Sequence, residues 1–317
     1  MIWLNRKNVE ALLDAGALVS EIASGFRGLA GGDIINGHEV RIDIAAPRSN
    51  FVAFPAVFSS DNIFSVKVLT ANELRTAHGL PLISALIVIV DTQTGETLAI
   101  MDGSHVTAMR TAAITAVALE AMPPQEGGIL ALIGTGVVAR MHARILPRMH
   151  RYDRVMIAST SYASERAEEV AAEVKYHSPH TPVAIGDIET ALRQAHTVVT
   201  ATNRREPLAP AASFASVSRL AVVGSCLPDA SEIPFELLTS STLLADWPDR
   251  FRAQWRGALP EATLARIYDL AALTAHPERM PDGRTIFCSA GMAFADGVAA
   301  LAVYRNALEQ GVGQRLD

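Results

Sequence analysis

Residues 130–146 read LALIGTGVVARMHARIL and set Gly134-x-Gly136-x-x-Ala139 between a strand-like run and a helix-like one. That context suits a dinucleotide. Gly134 permits a tight turn, Gly136 lets backbone N–H groups approach a pyrophosphate, and Ala139 allows close packing of helix on strand. The N-terminus of the helix adds partial positive charge toward the phosphates. Gly134, Thr135, Gly136, Val137, Val138 and Ala139 are therefore the expected cradle. Beyond the next strand, "VMIASTSYASER" offers Ser159, Thr160 and Ser161 where an NAD-preferring site usually carries an acid, with Arg140 and Arg166 nearby. Hydroxyls can bind a 2′-phosphate that an acid would repel, so the cofactor reads as NAD(P)H with both forms open.

Two further residues could do chemistry. Lys67, in "FSVKVLT", is the lone charge of an apolar strand, a costly place without a partner. Asp229, in "GSCLPDAS", follows the expected strand Leu220–Val223, at the carboxyl edge where open α/β sheets bind ligands. An Asp after Pro is often only a turn residue, and the position alone favours that reading. The nine histidines show no ligand spacing, and the two cysteines, Cys226 and Cys288, form neither a disulfide framework nor a metal motif, so no metal is expected.

Elements of two kinds must position these groups. Residues 27–115 carry short apolar runs (Phe51–Phe58, Phe64–Leu69, Leu82–Val90, Thr97–Met101) punctuated by "SSDN" and "DTQTGE", which predicts mostly sheet with a turn at Thr94-Gly95. Before them, Val9, Leu12, Leu13, Leu18, Ile22 and Phe26 recur at helical spacing behind Asn8, an expected N-cap. "TAMRTAAITAVALEAM" predicts a helix stopped by Pro123-Pro124. From Gly128 strands and helices alternate: Ile129–Ile133, Val155–Ala158, Pro182–Ile185, Thr197–Ala201, Leu220–Val223 and Thr242–Asp246 are the expected strands. The fold class is α/β, a Rossmann doubly wound parallel sheet beside a mixed α+β domain. "SAGMAFADGVAALAVYRNALEQG" reads as a long helix returning to the N-terminal part, the Rossmann strands being complete without it.

Composition sets limits. The 317 residues suffice for two domains with their own cores, and the apolar half of the composition is far from disorder. A net charge of −6 without a Lys/Arg cluster speaks against nucleic acid as a partner. The longest apolar run, Leu82–Val90 broken by Ser84, is too short to span a membrane. Arg6, Lys7, Glu10 and Asp14 disfavour a signal peptide, and a reducing cytoplasm is the expected home.

The blocks "MDGSHVTAMRTAA", "LIGTGVVARMHA", "VGSCLPDASEI" and "FCSAGMAFADGVAA", in this order and spacing, resemble the ornithine cyclodeaminase/mu-crystallin family from about residue 40 to 305. The first block is specific to that family; the glycine motif is not. The resemblance implies NAD(P)-linked chemistry at the α-carbon of amino or imino acids. It also implies a homodimer built through a domain assembled from both chain ends. The expected division is 1–119 with 295–317 for substrate binding and dimerisation, and 120–294 for NAD(P).

The same resemblance assigns roles. Lys67 matches the family's active-site lysine and Asp229 its acid/base aspartate. Guanidinium forks bind carboxylates bidentately, and Arg110 in the specific block matches one clamp. Arg41, in "EVRIDIAAPRSN", matches a second clamp, with Arg48 as its rival. Ala201, Thr202, Val223 and Gly224 at strand ends, with Ser225 and Gly291, complete the expected cofactor contacts. Val52 and Ala53 stand where ornithine-specific relatives carry a glutamate, and Cys288 where others carry a lysine. The expected function is reduction of a small 2-imino acid, a ketimine or an iminosuccinate-like acid, to the amino acid. The alternatives are an ornithine cyclodeaminase using NAD catalytically, an alanine-type dehydrogenase and a nucleotide-dependent binding protein.

Overall fold

A computed structural model describes residues 1–45, 49–125, 127–149, 152–160 and 164–316. The chain divides into two compact units, one of residues 1–110 with 292–317 and the other of residues 111–291. The division falls inside the helix Gly103–Ala121.

The first unit is a mixed sheet with helices on it. Its strands are β1 (Ile2–Leu4), β2 (Ile34–Asn36), β3 (Val40–Ile44), β4 (Ser49–Phe58), β5 (Ile63–Asn72), β6 (Ile83–Asp91) and β7 (Thr97–Asp102), plus a C-terminal strand Gln314–Arg315. The order runs from the C-terminal strand through β1, β7, β6, β5 and β4 to β2, with β3 also on β4. Leu4, Met101, Ile87, Lys67 and Phe54 form one cross-strand row, and Leu4, Met101 and Ile87 are fully buried. The turn between β6 and β7 uses Gly95 at φ +75°, a conformation that favours glycine.

The N-terminal helix differs from its expected form. Asn5, not Asn8, is the N-cap, and Asn8 closes a capping box by accepting from the Asn5 backbone while its own N–H donates to Asn5. The first helix ends at Leu12, and Asp14 caps a second, Ala15–Gly31. Apolar spacing ran across the break because both helices bury the same kind of face. Asp102 accepts from the backbone of Ser104 and His105, so the acid of "MDG" serves the start of the helix Gly103–Ala121.

The second unit is a parallel sheet of β8 (Ile129–Ile133), β9 (Arg154–Ala158), β10 (Val183–Gly186), β11 (Thr197–Thr200), β12 (Arg219–Val222), β15 (Thr242–Ala245), β16 (Tyr268–Asp269) and β17 (Thr285–Cys288), with a small hairpin of β13 (Cys226–Leu227) and β14 (Ala230–Ser231). The order is β10-β9-β8-β11-β12-β17-β15-β16, which reverses direction between β8 and β11. The strands were not complete before the last helix: β17 lies between β12 and β15. His142 is fully buried, on the Val138 carbonyl and the Thr115 hydroxyl, and burial pushes its pKa down to about 4. It is a neutral core histidine.

Candidate active site

In the first unit the helix Ala293–Gln310 crosses the inner face of the sheet at Gly297, where a Cβ would meet Phe58 at 2.4 Å and Ser65 at 2.5 Å. This close approach brings Asp296, in the first turn of that helix, onto the sheet. Its Oδ2 stands 2.6 Å from Lys67 Nζ, and its Oδ1 accepts from Arg110 Nε at 3.0 Å. All three residues are buried, and Lys67 also lies 4.6 Å from the centroid of the Phe54 ring. Burial pulls the Lys67 pKa down to about 8; Asp296 opposes that shift, Arg110 adds to it, and Glu39 raises it slightly. The result is an ammonium and a guanidinium sharing one carboxylate, which leaves one positive charge in excess of that carboxylate.

The structure thus brings Lys67 and Arg110 together. Arg41 lies on the same face of the sheet, paired in register with Val52 in the row beside Phe54 and Lys67, but it is exposed and engaged by Asp43 at 2.9–3.0 Å. Arg48 lies outside the described residues. Val52 is buried and Ala53 half-buried. Asp296 was missed in the sequence, although the reasoning that singles out Lys67 applies to it equally: an acid in the apolar stretch "MAFADGVAALAV" needs a partner.

In the second unit the glycine turn sits where the sheet order reverses. Gly134 has φ +124°, donates to the Ala158 carbonyl, and would press a Cβ to 2.4 Å from the Ala201 carbonyl oxygen, so only glycine fits. Gly136 is different: a Cβ there would meet nothing within 4 Å. That space opens before the helix Val137–Met149, whose Ala139 is buried against the sheet. Ser159, at the end of β9, has a buried hydroxyl without a hydrogen-bond partner, and Thr160 beside it is exposed. An open cradle at a helix N-terminus and an orphaned hydroxyl one strand away fit the pyrophosphate and ribose of a dinucleotide. Ser161 lies outside the described residues. Arg140 is not free for a 2′-phosphate, being paired with Glu169 and Glu173.

The remaining expected contacts lie at the carboxyl edge of the same sheet. Ala201 and Thr202 follow β11, and Val223, Gly224 and Ser225 follow β12. Gly291 has φ +75° and donates to Asp246 Oδ2 at 3.1 Å. Asp229 is at the tip of the β13–β14 hairpin, largely exposed, with Arg205 Nη2 at 2.7 Å. Cys226 and Cys288, far apart in sequence, meet as free thiols with sulfurs 3.2 Å apart, and the Cys226 contact and burial push the Cys288 pKa up. Among the described residues no three His, Cys, Asp or Glu side chains gather as a metal site.

The fold and sequence have known counterparts. The chain superposes on Delta(1)-pyrroline-2-carboxylate reductase of Thermococcus litoralis, solved with NADH and L-proline, with a TM-score of 0.91 over 100% of both chains at 24% identity. It is 27% identical over 291 residues to the NAD(P)H-dependent anabolic L-arginine dehydrogenase of Pseudomonas aeruginosa, covering 88% of this chain and 89% of that one. It is also 27% identical over 268 residues to the ketimine reductase mu-crystallin of Mus musculus, covering 83% and 82%. The model of one family matches residues 2–311. The chain belongs to the ornithine cyclodeaminase/mu-crystallin family.

Proposed function

We propose that the protein is an NAD(P)H-dependent oxidoreductase that reduces a small 2-imino acid to the amino acid. The observation that carries this reading is the buried Lys67–Asp296–Arg110 cluster. A core gains nothing from two cations around one carboxylate, since apolar residues of similar volume fill such space at no desolvation cost. An anionic substrate does gain from it. Arg110 engages Asp296 through Nε, so a substrate carboxylate would meet its Nη nitrogens, with the Lys67 ammonium beside the carboxylate and imine.

A bound NAD(P)H supplies the hydride that the α-carbon receives. The backbone of Gly134–Ala139 holds its pyrophosphate, and Ser159 and Thr160 its adenosine ribose. Ala201, Thr202, Val223, Gly224, Ser225 and Gly291 surround the other end. Lys67 and Arg110 fix the carboxylate and so orient the imine carbon. Asp229 holds or delivers the proton at the imine nitrogen. In this assignment residues 1–119 with 295–317 bind the substrate and residues 120–294 the cofactor, with Arg41 or Arg48 as a second carboxylate contact.

A second copy of the chain is the proposed partner. Val40, Val68 and Leu86 stand in one cross-strand row of the outer sheet face, and Ile42 and Phe51 in the next; each is 43–64% exposed. An apolar face of this kind is what a homodimer covers. The free thiols of Cys226 and Cys288 suit a reducing cytoplasm, and no helix among the described residues is long and apolar enough to cross a membrane. Buried apolar side chains at Val52 and near it favour an imino acid without a distal ammonium over ornithine.

The test is a panel of imino and keto acids with each reduced cofactor, with and without ammonia, read by cofactor absorbance. Oxidation of cofactor by a cyclic or dicarboxylic imine without ammonia supports the reading. A strict requirement for ammonia with a keto acid would replace it by an amino-acid dehydrogenase.

A further inference from the structure

Glu232 follows the β13–β14 hairpin and takes no part in the reaction as described. It is fully buried, yet the groups around it are all donors. Its Oε1 accepts from Thr202 N at 2.7 Å and Thr202 Oγ1 at 2.5 Å. Its Oε2 accepts from Thr200 Oγ1 at 2.7 Å, Ser225 N at 3.2 Å and Gly224 N at 3.0 Å, the last shared with the Thr200 carbonyl. These donors belong to the end of β11 with the loop that follows it, and to the loop after β12. Gly224 is glycine because a Cβ would come within 2.4 Å of the Thr202 carbonyl and 2.5 Å of Glu232 Oε2.

The two loops lie at the carboxyl edge beside the reversal of the sheet. The strands β8 and β9 on the other side of that reversal carry the cradle for the pyrophosphate and adenosine ribose. The loops after β11 and β12 are thus left for the nicotinamide half. We propose that Glu232 is a positioning residue for that half: its carboxylate ties the two loops into one arrangement before the cofactor binds. This inference rests on reading the second unit as the NAD(P)H site.

Only an acceptor works at this position. An ionised carboxylate donates nothing, so both of its oxygens can face N–H groups. A glutamine cannot match it in either amide orientation. With its NH₂ at the Oε1 position it faces the Thr202 N–H, and at the Oε2 position it faces those of Gly224 and Ser225. Burial raises the Glu232 pKa, and the hydroxyls and backbone donors around the carboxylate limit that rise.

The experiment compares wild type, Glu232→Gln and Thr202→Val with two probes, NADH for the whole site and ADP for the adenosine half. Amide hydrogen exchange at Thr202, Gly224 and Ser225 is followed in the cofactor-free protein. Losing a charge-assisted contact predicts that Glu232→Gln weakens NADH by about tenfold or more while ADP affinity changes by less than about twofold. The three amides should exchange faster, and Thr202→Val, which removes one donor, should shift NADH affinity in the same direction by less. A general loss of structure would instead weaken ADP and NADH together, and that outcome overturns the proposal, as does unchanged NADH affinity in both variants. If wild type binds neither probe, the cofactor reading itself fails.

Discussion

Asp296 Oδ2 lies 2.6 Å from Lys67 Nζ, and the two residues come from opposite ends of the chain. Gly297 makes the contact possible by letting the helix Ala293–Gln310 touch the sheet. Asp296→Asn keeps the shape and removes the carboxylate charge that Lys67 and Arg110 share. Breaking a buried pair from one side should cost about 3–5 kcal/mol of folding stability. Urea denaturation reads that loss; a change within the fitting error would show that the pair is not what holds Lys67 charged.

Lys67 titrates at about 8 instead of 10.5, chiefly because burial disfavours its ammonium. In the proposed role this is the cation that meets the substrate carboxylate, so its loss as pH rises through about 8 should lower kcat/KM there. Stability moves the other way. The unfolded chain keeps this proton up to about 10.5, so the contribution of Lys67 to stability increases with pH between about 8 and 10.5. A pH–rate profile for wild type and Lys67→Arg checks this: the alkaline limb near pH 8 should be absent from the variant, whose guanidinium stays charged. Identical limbs in both would assign the limb elsewhere.

Gly136→Val separates binding from folding. No atom lies within 4 Å of a Cβ there, so the thermal midpoint should stay close to wild type. The added methyls would occupy the approach to the pyrophosphate, and NAD(P)H affinity should fall by about tenfold or more. Gly134→Ala should instead destabilise the protein, because its φ of +124° and the nearby Ala201 carbonyl leave no room. Wild-type cofactor affinity in Gly136→Val would remove the glycine turn from the site.

The alternation of strand and helix after Gly128 was legible because buried parallel strands are continuous apolar runs bounded by glycine and polar turns. β17 was not, although β11, β12 and β15 are equally short, because only the short helices Leu270–Ala275 and Pro277–Arg279 precede it and the alternation is not visible there. Lys67 stood out by being alone among apolar neighbours, and Arg110 through its sequence block. Asp296 carried the same signal as Lys67 and went unread because an acid in a helix's first turn has an ordinary explanation in the helix dipole. Glu232 stands in the block "VGSCLPDASEI", but nothing there sets it apart from a solvated acid. Its role depends on two loops meeting around it, and the donors are mostly backbone N–H groups that every sequence possesses.

Asp229 sits exposed at a hairpin tip with Arg205 as its partner, a placement that by itself suits a surface ion pair. The proposed proton role gives a sharper expectation. A positioned acid contributes about 10²–10⁴-fold, so Asp229→Ala should lower kcat strongly with NAD(P)H affinity near wild type. Arg110→Ala should act mainly through KM, by loss of a carboxylate contact. Steady-state kinetics on the best imine decide it, and near-wild-type turnover in Asp229→Ala returns that residue to its turn.

Hydride transfer from the nicotinamide to an imino acid's α-carbon can be followed by isotope label. The protein is incubated with cofactor deuterated at both C4 positions and pyrroline-2-carboxylate or iminosuccinate, and the amino acid formed is examined by mass spectrometry. One deuterium should appear at the α-carbon for each cofactor oxidised, with no ammonia required. Proline formed from ornithine with no net change in cofactor, and no deuterated product from either imine, would contradict it.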